Sequence, residues 1–490
     1  MQGVGSITKS SLLLFANKNK TVVGLIILGL LSILLVVVPE IFGMKFSLPV
    51  RLTSLVLLSV YVLLSFEIVH RTAVAMTGAA IVILIGITTG LFSASASFNF
   101  VIESIDFNTI GLLLGMMIMV AILGETGVFQ YLGIKMSKAS KGNMWMLMVY
   151  LCTFTAITSM FIDNVTTVLL MIPITISVFR ILRLSPIPFI IAQILASNVG
   201  GVATLIGDPP NILIGSAANI DFNSFIIHMG PTIAVVIVVS LFLFKFLFRR
   251  DLAQKPYDMD ALLSQDETSL IKDKSKLKKS LIVLAAVVLL FVVHGSIGIE
   301  PSIIALGGAG ILLIISRSKP EKILGEVDWS TLIFFAGLFV IIGGGEKAGV
   351  IGLLSNTALQ ITGGDPWIMF LMIIWLSALA SAFVDNIPFT ATMIPLITSL
   401  NNNESIAAVF GNLSISPLWW ALALGAGLGG NGTLVGSSAG IVGTGISEKN
   451  GYRISFNGFL RVGFPFMVIT VASGSVILLI DILIRLPSGT

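Results

Sequence analysis

Apolar stretches of about twenty residues, divided by short polar or glycine-bearing breaks, recur along the whole chain, and this is the pattern of helices that cross a bilayer. Spans are predicted at about 21–39, 52–68, 72–93, 107–124, 230–248, 280–297, 301–316, 330–346 and 458–484. Two further stretches, 143–180 and 365–400, are apolar on both sides of a central Asp-Asn pair and predict hairpins whose tips are Asp163-Asn164 and Asp385-Asn386. The stretches 186–217 and 417–446 are interrupted by Gly200-Gly201-Val-Ala-Thr204-Leu-Ile-Gly207-Asp208-Pro-Pro-Asn211 and by the run from Gly429 to Gly440. Each predicts a broken helix, and irregular backbone at membrane depth is tolerated only inside protein or against a wet cavity.

The pattern is written twice. Ser159, Phe161, Asp163, Asn164, Met171, Ile172 and Pro173 recur without a gap as Ser381, Phe383, Asp385, Asn386, Met393, Ile394 and Pro395. Asp106, Thr109, Gly115, Gly127 and Trp145 likewise recur as Asp328, Thr331, Gly337, Gly349 and Trp367. After a short shift in register, Gly200, Gly201, Thr204 and Gly207 pair with Gly429, Gly430, Thr433 and Gly436. The expected organisation is an N-terminal segment with one extra helix at 1–50, a first repeat at 51–248, a polar linker at 249–279 and a second repeat at 280–490.

Positive charge sets the expected topology. If the hairpins enter and leave by one face, all but Lys45, Arg51, Lys347 and Arg485 of the 28 lysines and arginines fall on one side. Full crossing of the hairpins would break that segregation after residue 160. The fold class expected is therefore an all-α membrane protein of about eleven transmembrane helices, with a cytoplasmic N-terminus in the plasma membrane. Its two inverted repeats each hold a re-entrant hairpin and a broken helix, an organisation shared by many secondary transporters. The linker, rich in both lysine and acidic residues, reads as a solvated cytoplasmic loop.

Composition narrows the classes. The chain of 490 residues is 56% hydrophobic and only 11% charged, too few charges to cover a soluble surface. Cys152 is the only cysteine, which excludes an intramolecular disulfide. His70, His228 and His294 lie far apart near span ends and read as interfacial packing. The net charge of +4 reports topology, so nucleic acid is not an expected partner. Gly425-Ala-Gly427-Leu-Gly-Gly430 satisfies a dinucleotide-binding spacing but lies in an apolar span with no strand before it. There is no Walker motif, so drive by ATP would require a separate ATPase subunit. Nothing points to an enzyme.

Chemistry concentrates at the repeated elements. An intramembrane carboxylate is costly and marks a functional site by default. Scattered glycines such as Gly111 and Gly308 read as helix packing, and Glu125 and Lys347 as snorkelling side chains near span ends. The candidate ion- and substrate-binding residues are Asp163, Asn164, Thr166, Thr204, Asp208, Asn211, Asp385, Asn386, Thr390, Asn431, Thr433 and Ser437. Helix breaks are assigned to Gly200, Gly201, Gly207, Gly429, Gly430 and Gly436. Half-helix N-termini suit an anion, whereas exposed carbonyls, carboxylates and hydroxyls suit a hard cation, with sodium the candidate at the Asp163 and Asp385 tips. No cofactor is expected beyond the coupling ion, H+ or Na+.

The Asp-Asn tips and Ser197-Asn198-Val-Gly-Gly201 through Ile206-Gly-Asp-Pro-Pro-Asn211 resemble the arsenite-permease and sodium–proton antiporter (ArsB/NhaD) family of the ion transporter superfamily, and within it the P-protein branch. The resemblance covers about residues 60–484. It implies a dimerising scaffold domain and a transport domain that moves as an elevator. Dicarboxylate carriers of the superfamily read Ser-Asn-Thr at the tips, where this chain has Asp163 and Asp385. Sodium–proton members carry threonines after Gly-Asp, where it has Pro209-Pro210-Asn211. Two carboxylates facing a dianion cost on the order of several kcal/mol in a low-dielectric site unless neutralised. The expected function is thus proton- or sodium-coupled movement of a small inorganic anion or oxyanion, with arsenite efflux the named case. Sodium–proton antiport and sodium-coupled dicarboxylate or citrate transport are the alternatives.

Overall fold

The computed structural model describes residues 46–66 and 69–486; the span expected at 21–39 and most of the N-terminal segment lie outside the described residues. The described chain is helical, with no strand. In the first half run α1 (Leu48–Ser65), α2 (Arg71–Thr88), α3 (Ser97–Ser104), α4 (Phe107–Glu125), α5 (Val128–Ala139), α6 (Met144–Ser159), α7 (Asn164–Leu182), α8 (Ile187–Gly201), α9 (Pro209–Ala218) and α10 (Phe222–Leu247). After the linker follow α11 (Lys274–Ile297), α12 (Pro301–Ser316), α13 (Trp329–Ala348), α14 (Val350–Thr362), α15 (Pro366–Phe383), α16 (Asn386–Asn401), α17 (Pro417–Gly429), α18 (Ser438–Lys449) and α19 (Phe456–Arg485). Nine of these are long and apolar enough to cross a membrane by length and composition, and five shorter ones are apolar too. Polar side chains at the boundaries start the helices: Asn143 caps α6, Asp221 caps α10 and Asp365 caps α15 through backbone N–H groups. Gly127, with φ +81°, and Gly349, with φ +93°, provide the left-handed residue between α4 and α5 and between α13 and α14.

The described chain packs as two compact units. One combines the residues up to Asp106 with Trp329–Ala358. Here α13 lies on α1 and α2 so closely that a Cβ on Gly337 would stand 2.8 Å from the Ala75 carbonyl carbon. Arg71 Nη2 donates to Thr331 Oγ1 at 2.7 Å, and Thr72 Oγ1 donates to the Ser330 carbonyl at 2.8 Å. The other unit combines Phe107–Asp328 with the chain from Leu359 onward. Within it α4 lies on α11 and α12 in the same fashion, and a Cβ on Gly115 would stand 2.5 Å from the Ala305 carbonyl carbon. Gly115 and Gly337 are repeat partners. The corresponding helix of each half thus packs on two helices of the other half, and the compact units do not follow the boundary between repeats.

The segment after α10 differs from the solvated loop expected. Lys274 to Lys279 already form the first turns of α11, and 249–273 docks against the protein. Leu262 is fully buried, and Pro256 and Met259 lie against Gly142. Tyr257 N–H donates to the Leu182 carbonyl at 3.2 Å, and Lys272 N–H to the Thr126 carbonyl at 2.9 Å. Lys138 Nζ pairs with Glu267 at 2.5 Å. Apolar residues scattered among the charges cause the docking, which average polarity conceals. Glu125 also does more than snorkel: it pairs with Lys276 at 2.9 Å and with Lys322.

Candidate functional site

Both hairpins are built around a capping aspartate. Asp163 Oδ1 accepts the Thr166 N–H at 2.9 Å and starts α7, while Asp385 Oδ1 accepts the Ile387 N–H at 3.1 Å and starts α16. A carboxylate at an N-cap satisfies a free donor and meets the positive end of the helix. Both side chains are half-buried.

Each hairpin is fastened to the broken helix of its own half by the same contacts. Thr204 Oγ1 donates to the Met160 carbonyl, and its partner Thr433 donates to the Ala382 carbonyl at 2.5 Å. A Cβ on Gly200 would strike the backbone of Ala156, and one on Gly429 would stand 2.5 Å from the Ala378 oxygen. On Gly207 it would lie 2.6 Å from the Ser159 oxygen, and on Gly436 2.8 Å from that of Ser381. Gly201 and Gly430 close each loop on itself, where an added Cβ would lie 3.0 and 3.1 Å from the oxygens of Gly207 and Gly436. Any side chain at these positions would push the hairpin away.

The polar residues between the halves do not repeat so faithfully. Asn386 Nδ2 crosses to Asp208 Oδ2 at 3.0 Å. The related residue Asn164 instead donates to Asn198 Oδ1 at 3.2 Å. Asn198 Nδ2 then reaches Asn431 Oδ1 at 3.0 Å and Ser437 Oγ at 2.9 Å. Ser438 Oγ donates to Asp385 Oδ2 at 2.7 Å. Asn211 Nδ2 ties the first broken loop to the carbonyls of Gly201 and Thr204 at 2.9 and 2.8 Å. Asp208 is fully buried, and its Oδ1 has no hydrogen-bond partner among the described residues. The same is true of Asn211 Oδ1, Thr390 Oγ1 and Asn431 Nδ2. None of the described ion pairs involves Asp163, Asp208 or Asp385.

The profile of the citrate transporter family, CitMHS, matches residues 61–425. The chain belongs to this family. It is 38% identical over 425 residues to an uncharacterized transporter of Mycobacterium tuberculosis (strain ATCC 25618 / H37Rv), covering 86% of this chain and 96% of the relative. It is 35% identical over 514 residues to the P protein of Homo sapiens, covering 88% of this chain and 60% of that protein. Two solved structures share the fold. The Alcanivorax borkumensis YdaH transporter superposes with a TM-score of 0.58 at 15% identity, covering 85% of this chain and 99% of the other. MtrF of Neisseria gonorrhoeae gives 0.55 at 14% identity, over 89% and 95%. This member of the citrate transporter family is a multi-pass secondary transporter of the ion transporter superfamily. The resemblance to the ion transporter superfamily and to the P protein is supported by these relatives, whereas the profile is that of the citrate transporters and does not single out the arsenite-permease and sodium–proton branch.

Within this transporter the structure links Asn164, Asp208, Asn386, Asn431 and Ser437 through direct side-chain bonds or through Asn198. It uses Thr204 and Thr433 differently from the free hydroxyl ligands expected, since their hydroxyl hydrogens fasten loop to hairpin. Thr166 contributes its backbone N–H to the cap, and Thr390 keeps a buried hydroxyl without a partner among the described residues. Asp208 stands at the N-cap of the half-helix α9, but its side chain makes no cap bond there and instead accepts from Asn386. Sequence reasoning left out Asn198, the residue that joins most of the others. A polar amide in the apolar run of α8 was its signal. Ser438 was also missed, having only its place beside Ser437 to mark it.

Proposed function

We propose that the protein is a cation-coupled transporter in which Asp163, Asp208 and Asp385 handle the coupling ion, H+ or Na+. One observation carries this reading: the helix ends at the two hairpin tips are already occupied by the tip carboxylates, while buried Asp208 offers an open oxygen and has no ion-pair partner among the described residues. Burying a carboxylate without a partner costs about several kcal/mol, so a proton or metal cation is the natural complement. A solute with net negative charge then binds only together with neutralising cations. A neutral hydroxide such as arsenous acid, a monoanion entering with protons, or a carboxylate that brings its cations all meet this condition.

The capped helix ends also support a second reading, sodium–proton exchange with no other solute. Proteoliposomes carrying the purified protein distinguish the two. Under imposed sodium and proton gradients, uptake of arsenite, citrate and dicarboxylates is measured beside internal pH. Solute flux that follows the cation gradients supports the first reading. Proton release driven by sodium alone, with no solute present, supports the second, and flux indifferent to both gradients would remove the proposal. The duplicated hairpin contacts support the repeat organisation, and elevator movement in a homodimer is part of the proposal. In this reading the N-terminus and linker are cytoplasmic and the protein sits in the plasma membrane.

A further inference from the structure

A cavity of about 440 Å³ lies at one end of the larger unit, away from the linker. The linker joins the end of α10 to the start of α11, whereas the cavity is lined by residues at their other ends, Asp221 and His294. At a rise of about 1.5 Å per residue, helices of 26 and 24 residues put more than ~30 Å between the two places. Asp221, His294 and Glu300 are the titratable residues of its wall. Among the described residues, no lysine or arginine belongs to the lining. Asp221 Oδ1 is held by the Ser224 N–H at 2.6 Å, and His294 Nε2 accepts the Phe222 N–H at 3.2 Å.

The floor is the informative part. It includes Leu205, which sits in the first broken loop directly after Thr204, and Ile212, the residue after Asn211. Both are buried, and with Leu112 they form an apolar layer. Asp208 and Asn211, whose Oδ1 atoms are buried without partners, belong to the same short loop and helix turn. A polar, open chamber thus ends at the back of the backbone that carries the unneutralised carboxylate.

We propose that this cavity is the aqueous approach by which cations reach the tip site from the face away from the linker, with Asp221 and Glu300 as its acidic mouth and Leu205 and Ile212 as its closed floor. The role of the cations rests on the reading of the tips given above. The existence of the water path does not, and it is tested separately. Acidic walls raise the local concentration of cations and repel anions, an effect that salt screens.

Cys152 is fully buried, so the native chain supplies a quiet background for introduced thiols. Ser216→Cys and Ile299→Cys each place a thiol in the wall, and Ser269→Cys places one on the linker. Intact cells are treated with membrane-impermeant methanethiosulfonates, one cationic and one anionic. The two wall thiols are expected to react from the face opposite to that which labels Ser269→Cys. The cationic reagent should be about tenfold faster at low salt, and Glu300→Gln with Asp221→Asn should bring the ratio near one. Absence of labelling at both wall positions in folded protein, or labelling from the linker's face, overturns the path. A charge-independent rate overturns the acidic mouth. Labelling as expected beside flux indifferent to cations would keep the path and discard the tip reading.

Discussion

Gly429→Ala tests whether the hairpin must sit against the broken helix. The added Cβ would lie 2.5 Å from the Ala378 carbonyl oxygen and 2.7 Å from its Cα. Ordinary contact begins near ~3.4 Å, so α15 and α17 must part by roughly 0.9 Å. If that displacement reaches the tip, the Thr433 to Ala382 bond of 2.5 Å stretches to about 3.4 Å, the outer edge of hydrogen bonding. Overpacking of this kind costs about 1–3 kcal/mol. A misplacement near 1 Å at a positioning contact costs up to about a hundredfold in rate. The expected result is a melting midpoint lowered by roughly 2–6 °C, with cation-driven flux in proteoliposomes reduced far more than that instability explains. Gly307→Ala and Gly310→Ala serve as controls, because nothing lies within 4 Å of a Cβ at either position. Gly200→Ala should copy Gly429→Ala, since its Cβ would strike Ala156. Wild-type midpoint and flux in Gly429→Ala would refute the reasoning.

Four other outcomes are expected. Asp208→Asn keeps an acceptor for Asn386 but removes the charge, so coupled flux should be lost while the protein remains folded; full ion-driven flux would show that Asp208 does not serve the coupling ion. Asp163→Asn and Asp385→Asn preserve the N-caps, because Asn caps about as well as Asp, so each should be folded yet uncoupled, whereas the alanine variants should also lose about 1 kcal/mol of stability. Asn198→Ala should weaken both the Asn164 and the Asn431–Ser437 sides of the cluster, read as loss of flux together with a lower melting midpoint; retention of both would demote this residue. Lys138 holds the Glu267 carboxyl below its ordinary value of 4.5 through a direct hydrogen bond. A depressed carboxyl stabilises docking above its unfolded value and loses that contribution as pH falls through the folded one. Limited proteolysis should therefore cut 249–273 faster as pH falls below the ordinary glutamate range, and Glu267→Gln should remove that dependence.

The order and bounds of most described helices were legible because each depends on local information. An apolar run reports burial or lipid whatever surrounds it, and a capping Asp or Asn acts within its own turn. Asp163, Asp208 and Asp385 were found because a carboxylate inside an apolar stretch stands out in the chain alone, and at the tips it is written twice. The duplication was also legible, and the glycines that it paired make the same close approaches in both halves. Partners distant in the chain were not. Asn198 joins residues of both repeats, and no local pattern says which amide will meet which.

The sequence by itself therefore determined an all-helical membrane transporter with two copies of one hairpin and one broken helix, because hydrophobic length, helix breaks and repeated motifs are properties of the chain alone. Tertiary structure decided which half completes each contact. It placed α4 on α11 and α12, and α13 on α1 and α2, because small residues at Gly115 and Gly337 let backbones meet. It sent Asn386 to Asp208 while Asn164 went to Asn198. It folded the linker onto α5 and α7. It also separated the capped tip aspartates from the buried, open carboxylate of Asp208, a difference set by three-dimensional surroundings that two identical Asp-Asn pairs could not announce.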